Sequence, residues 1–251
     1  MEQGINSLVF PKVIGHRGAC HYAPENTLAS MYEAERRGVK WIEFDVALTK
    51  DQCPVILHDE NLKRTTNGRG SVANMSLAEV EQLDAGSWFS SKFAGEKIPL
   101  FNEYLQAAKR LNLGINVEIK PTAGQDFATA YQVVQQLRRD WPDPHHHLLV
   151  SSFSVTALAA ARALDQRYYF ALLINKWFSG WQDAVVQLNC VSVNVNHRRL
   201  SPERVAEIKA MGRYVMAYTV DSPRLAKKLF SWGVDAVFSN VPDVILGAAC
   251  E

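Results

Sequence analysis

Long apolar runs, an export signal, paired cysteines and blocks of like charge are all missing from this sequence. No stretch reaches the roughly 20 apolar residues that a membrane-spanning helix needs. The opening MEQGINSLVFPKV carries no basic region followed by an apolar core. A protein that stays in the cytoplasm, without integral membrane association, is the expectation. Cys20, Cys53, Cys190 and Cys250 lie far apart with no CxxC spacing, so reduced thiols are expected rather than disulfides. Cys20 has no sequence neighbours of the kind that activate a thiol nucleophile. The formal net charge is +1, with Lys and Arg spread along the chain. That excludes the basic footprint of a nucleic-acid binder.

What is present is a repeating strand and helix pattern over 251 residues, 47% of them hydrophobic. A single α/β barrel takes about 250 residues. The chain is organised around HRGACHYAPENT, residues 16–27. A short apolar strand over 12–15 ends on His16 and Arg17, and an amphipathic helix over 27–37 closes before Gly38. In parallel α/β architectures ligands bind at the carboxyl ends of strands, because helices cover the faces. In VKWIEFDVAL, Ile42, Phe44 and Val46 point one way while Trp41, Glu43 and Asp45 point the other. The strand turns at 50–52 and returns as CPVILHD. With Asp51 and Gln52 as a two-residue turn, Asp45 falls opposite His58, with Cβ atoms about 4.5–5.5 Å apart. A one-residue slip turns His58 to the other side.

Residues 59–100 break the rhythm with Asn67, Gly68, Gly70, Gly86, Gly95 and the aromatics Trp88, Phe89 and Phe93. This piece exceeds an ordinary connection and reads as an insertion over the barrel mouth, a lid or substrate-selecting cap. A helix over 102–111 leads to GINVEIKP, where Ile115, Val117 and Ile119 share one face and Asn116, Glu118 and Lys120 the other. Strands beginning at Leu148, Tyr169, Cys190, Tyr214 and Ala236 alternate with helices beginning at Val155, Gly180, Pro202 and Pro223. Ser201 and Ser222 are helix caps ahead of Pro, and Gly212 and Gly233 end those helices. Eight strands plus the hairpin return predict one (β/α)8 TIM-barrel domain over 1–251; an open doubly wound sheet is the alternative.

Glu43, Asp45 and Glu118 place three carboxylates on inward faces of two strands. One divalent cation, Mg2+ or Ca2+, would neutralise them with oxygen ligation. A salt-bridge cluster with Arg17 and Lys120 is the competing reading, but it leaves His16 and His58 without a role. Two imidazoles, two cationic side chains and a metal suit phosphoryl transfer: Arg17 and Lys120 hold phosphate while His16 and His58 move protons. His197 reads as a loop residue near the mouth. The tract 145–147 reads as a solvated loop at the opposite end. Tyr218, Trp88 and Phe89 are candidate pocket-lining residues.

HRGACHYAPENT, EFDVALTKDQCPVILHD and EIKP, in this order and spacing, resemble the glycerophosphodiester phosphodiesterases, in particular the small cytoplasmic bacterial enzymes of that family. The resemblance continues through NLKRTTNGRG, DAGSWFS, LLVSSF, VNVNHRRL, YTV and WGVD. It implies a barrel with an inserted segment, a divalent metal, and hydrolysis of glycerophosphocholine or glycerophosphoethanolamine to glycerol 3-phosphate and an alcohol. It further implies His16 and His58 as the acid and base pair, Glu43, Asp45 and Glu118 as metal ligands, and Arg17 and Lys120 as phosphate contacts. Gln52 stands where the family often has Gly, and Asn240 where it commonly has Asp. Two rival readings are a lysophospholipid phosphodiesterase and a catalytically silent barrel that binds phosphorylated ligands.

Overall fold

Strands with one helix-facing side and one inward side, each followed by a segment that packs back on the sheet, close into a ring of eight parallel strands. The computed structural model describes residues 10–141, 143 and 147–249. In chain order the elements are β1 (Val13–His16), α1 (Leu28–Arg36), β2 (Trp41–Leu48), β3 (Pro54–Ile56), α2 (Leu77–Val80), α3 (Phe101–Arg110), β4 (Gly114–Ile119), α4 (Asp126–Asp140), β5 (Leu148–Ser152), α5 (Val155–Leu164), β6 (Tyr169–Ile174), α6 (Trp181–Gln187), β7 (Ser192–Asn196), α7 (Pro202–Ala210), β8 (Tyr214–Tyr218), α8 (Pro223–Ser231), β9 (Ala236–Ser239) and α9 (Pro242–Ala249). The ring runs β1-β2-β4-β5-β6-β7-β8-β9 and closes by β1 pairing with both β2 and β9. This is the TIM barrel expected, with β3 as the extra hairpin strand. The helices α4 and α9 are additions to the elements named from sequence.

Alternation sorts the side chains as anticipated. Ile42, Phe44, Val46, Ile115, Val117 and Ile119 join the large core between strands and helices. A second cluster, with Phe10, Ile14, Trp41, Leu149, Met216 and Phe238, fills the barrel interior. Phe10 meets Trp41 and Tyr214 edge-on, each with ring centroids 5.2 Å apart. Gly114 pairs with Trp41 across β4 and β2, and a Cβ there would lie 2.3 Å from the indole. The ring therefore lies over a position that only glycine leaves open. Ser201 and Ser222 cap α7 and α8 by accepting from Arg204 and Leu225 N–H, each with Pro in the first turn.

The hairpin register differs from the expectation by one residue. Val46 pairs with Ile56 and Leu48 with Pro54, and Leu57 N–H donates to Asp45 O. Leu57, not His58, therefore stands opposite Asp45. The turn contains three residues, Lys50–Gln52, between the paired Thr49 and Cys53, with Gln52 left-handed at φ 62°. A type I turn followed by a left-handed residue is a standard three-residue hairpin loop, and it shifts pairing by one relative to a two-residue turn.

Residues 59–100 pack beside the hairpin rather than across the mouth. Ala47, Val55 and Leu57 form a third core with Leu62, Val72, Val80, Ala85 and Ile98. His145, His146 and Cys250 lie outside the described residues. His147 accepts from Ile115 N–H at 2.8 Å, at the end of the barrel away from the strand carboxyl termini.

Candidate active site

His16 ends β1 and pairs in register with Glu43 of β2, while Asp45 pairs with Glu118 of β4. Three adjacent strands thus deliver their polar ends to one place. A cavity of about 360 Å³ opens there, lined by His16, Arg17, Glu43, His58, Glu118 and, across from them, Tyr218. That volume lies in the range of small-molecule sites. The backbone after β1 turns sharply: Arg17 is left-handed at φ 53° and Gly18 at φ 86°. A Cβ on Gly18 would come within 2.5 Å of Ser30 Oγ. Arg17 is held in this costly conformation by its N–H on Glu43 Oε2 at 3.1 Å and by Ser30 Oγ, which donates to its carbonyl at 2.9 Å.

Oxygen atoms of Glu43, Asp45 and Glu118 lie within 4.8 Å of one another, and all three residues are buried. Burial, then the neighbouring charge of Asp45, raises both glutamates: Glu118 up to about 7 and Glu43 well above the carboxylate range. Burial works the same way on Asp45, but Arg17, Lys120 and His58 outweigh it and hold Asp45 ionised. Lys120 Nζ is 3.3 Å from Glu118 Oε1 and 3.7 Å from Asp45 Oδ1, and Arg17 Nε is 3.5 Å from Asp45 Oδ2. Two cations therefore attend the cluster, as the salt-bridge reading required. Arg17 is shared, however, because its Nη1 donates to Glu25 at 2.7 Å. Asp45 Oδ1 is buried without a hydrogen bond. An unsatisfied carboxylate oxygen beside two glutamates driven toward protonation is a donor set that fits a hard divalent cation.

Each histidine is held through Nδ1, leaving Nε2 toward the pocket. His16 Nδ1 is 2.7 Å from Asn240 Oδ1. The Asn240 amide can turn only one way, because Nδ2 donates to Asp221 Oδ2 at 2.7 Å and Oδ1 also accepts from Cys20 Sγ. Nδ1 is therefore the protonated nitrogen of His16. Burial, followed by the Arg17 charge, pushes its pKa down to about 4. His58 Nδ1 is 2.5 Å from Asp59 Oδ1. His58 lies past the end of β3 and reaches the cavity although it misses the expected pairing with Asp45.

The far wall comes from later strands: Phe153, Leu173, Asn196, His197, Arg198 and Tyr218. Tyr218 lines the pocket as expected, and His197 stands at the mouth with Nδ1 3.3 Å from the Tyr218 carbonyl. Trp88 and Phe89 do not line it. Trp88 Nε1 donates to Ala85 O, and the Trp88, Phe89 and Phe93 rings pack edge-on in series, so the insertion aromatics satisfy one another away from the cavity. Their place is taken by Phe153, 44% exposed and edge-on to Tyr218. Phe153 was missed because it follows an apolar strand with no polar marker. Asn240 was missed as the support of His16 because a contact across 224 positions leaves no local pattern, whereas Asp59 follows His58 directly and its adjacency was the signal that could have found it.

The model of the glycerophosphoryl diester phosphodiesterase family matches residues 16–244. Bacillus subtilis YhdW is 34% identical over 237 residues, covering 93% of this chain and 96% of that protein. A glycerophosphodiester phosphodiesterase of Caldanaerobacter subterraneus is 30% identical over 234 residues, covering 93% and 96%. Among solved structures, an Oleispira antarctica phosphodiesterase in complex with the product sn-glycerol-3-phosphate superposes with a TM-score of 0.93 at 39% identity, covering 99% of this chain and all of that one. The chain is an enzyme of the glycerophosphoryl diester phosphodiesterase family.

Proposed function

We propose that this enzyme hydrolyses glycerophosphodiesters, such as glycerophosphocholine or glycerophosphoethanolamine, to sn-glycerol 3-phosphate and an alcohol, using one Mg2+ or Ca2+ and the His16 and His58 pair. The observation that carries the reading is the convergence of His16, Arg17, Glu43, His58 and Glu118 on one cavity. Glu43, Asp45 and Glu118 would hold the ion, whose charge when bound polarises a phosphoryl oxygen. Arg17 and Lys120, the two cations beside the cluster, bind the remaining phosphate oxygens. His16, with its proton fixed on Nδ1 by Asn240, accepts a proton at Nε2 from the attacking hydroxyl. His58, backed by the Asp59 carboxylate, donates from Nε2 to the departing alcohol. The attacking group is either the substrate's neighbouring hydroxyl, giving a cyclic phosphate first, or water. Action in the cytoplasm is part of the same proposal; no helix among the described residues is long and apolar enough to cross a membrane.

A coupled assay of glycerol 3-phosphate release, run on a panel of glycerophosphodiesters with a chelator and with either ion restored, tests this directly. Activity lost on chelation and regained with the ion is expected, and full rates in a thoroughly chelated sample would overturn the metal assignment. Trapping a cyclic glycerophosphate that is later consumed selects internal attack. A second reading, cleavage of lysophospholipids, draws on the exposed Phe153 ring beside Tyr218 as an apolar approach. A strong rate preference for a single-chain lysophospholipid over glycerophosphoethanolamine would establish it instead.

A further inference from the structure

His58 stands just beyond the reach of the sheet. The hairpin ladder ends with Leu57 N–H on Asp45 O, so no strand pairing fixes the imidazole that follows. Its Nδ1 leans on Asp59 Oδ1 at 2.5 Å. The other carboxylate oxygen, Asp59 Oδ2, is taken by Arg64 Nε at 2.5 Å. Arg64 then presents Nη1 and Nη2 to both oxygens of Glu25, at 2.7 and 2.8 Å. Glu25 lies on the loop after β1, and its Oε1 also accepts from Arg17 Nη1 at 2.7 Å. Charges alternate along the series Arg17, Glu25, Arg64, Asp59, His58, and its two ends are the phosphate contact and the proton donor.

The middle of this series is firmly seated. Leu62 is fully buried in the core beneath the insertion, and Thr66 bonds back to the Leu62 carbonyl through both its N–H and its hydroxyl. Arg64 lies on that turn. Exposed ion pairs usually contribute little, but a paired guanidinium and carboxylate with a third charge-assisted bond fixes direction as well as distance.

We propose that Arg64 is a positioning residue, by which the insertion sets Arg17 and His58 in a common frame through Glu25 and Asp59. The insertion is then a brace for the catalytic groups instead of a cover over them. The proposal rests on the reading of His58 as a proton-transfer residue and adds a function for residues 59–100 that the lid expectation lacked.

The test is steady-state kinetics on glycerophosphoethanolamine with Mg2+ for Arg64→Gln, Arg64→Lys, Arg64→Ala, Asp59→Asn, the Arg64→Gln and Asp59→Asn double variant, and the exposed neighbour Lys63→Gln as a control. Losing a bond that orients a functional side chain typically costs about 10- to 100-fold in activity. Arg64→Gln should lower kcat by that amount and raise KM, because the Arg17 end is released as well. Asp59→Asn should lower kcat alone. The double variant should match Arg64→Gln in kcat instead of multiplying the two losses, since both act through one series. Arg64→Lys should recover part of kcat, and added guanidinium should partly rescue Arg64→Ala, while Lys63→Gln stays at wild-type rates. Wild-type kcat and KM in Arg64→Gln, or losses that multiply, would overturn the proposal even where His58→Ala is inactive. A fully active His58→Ala would instead overturn the reading of the site beneath it.

Discussion

Across the mouth, β1, β2 and β4 contribute His16, Glu43, Asp45 and Glu118, whereas β6, β7 and β8 contribute Leu173, Asn196 and Tyr218. The first half is ionisable and cross-linked. Each charged side chain there has a fixed partner, from Asn26 on Asp45 at 2.8 Å to Asn240 on His16. The second half is mostly neutral, with Arg198 as the cation among its lining residues and burial pushing the Tyr218 phenol above its ordinary range. The contrast teaches a division of labour. Chemistry needs charges of known orientation and so costs many supporting bonds, while a surface that receives an alcohol needs shape and a few adaptable polar atoms.

The strongest way to break this comparison is to remove a proposed proton-transfer group from the charged half. His16→Ala or His58→Ala should lower kcat by about 10²- to 10⁴-fold with the melting midpoint nearly unchanged, whereas Tyr218→Phe on the far wall should stay within a few-fold. An equal loss in Tyr218→Phe would erase the division.

The acid cluster gives a second contrast, read as stability. Glu118 is raised from 4.5 to about 7 by burial first and Asp45 second. Its protonated form is favoured in the folded state, so its contribution is full below about 4.5 and lost as pH rises through about 7. A bound divalent ion removes that loss. The gap in melting midpoint between ion-loaded and chelated protein should therefore widen between pH 4.5 and 7.5, by on the order of 3 kcal/mol, or roughly 5–10 °C. A gap that is flat with pH would mean that the carboxylates do not share one ion.

Smaller effects sharpen the boundary between the halves. Asn240→Ala should lower kcat about tenfold, with KM little changed, because His16 loses the amide that selects its tautomer. Phe153→Ala should change KM by a few-fold at most and leave kcat alone, with the size of the change depending on the alcohol group; a comparable fall in kcat would move Phe153 into the chemistry.

The charged half was legible in the sequence because strand alternation is strict. Glu43 with Asp45, and Asn116 with Glu118 and Lys120, could face only inward once Ile42, Phe44, Ile115 and Val117 faced the helices. The helix starts at Ser201 and Ser222 were legible because capping is a local event. The hairpin register was not, since one left-handed Gln52 decides between two- and three-residue turns and its conformation is set by the assembled hairpin. The far wall escaped because Phe153, Leu173 and Asn196 become neighbours only when separate strands close into a ring.

The interlocked rings of Phe10, Trp41 and Tyr214 leave the barrel stoppered at its base. Among the described residues the well opens at the carboxyl ends of the strands, and whatever enters there departs the way it came. On the proposed chemistry the phosphate ester stays in contact with Arg17 and Lys120 after the alcohol is cleaved from it. An ester held there would compete with the next substrate, so added glycerol 3-phosphate should inhibit competitively.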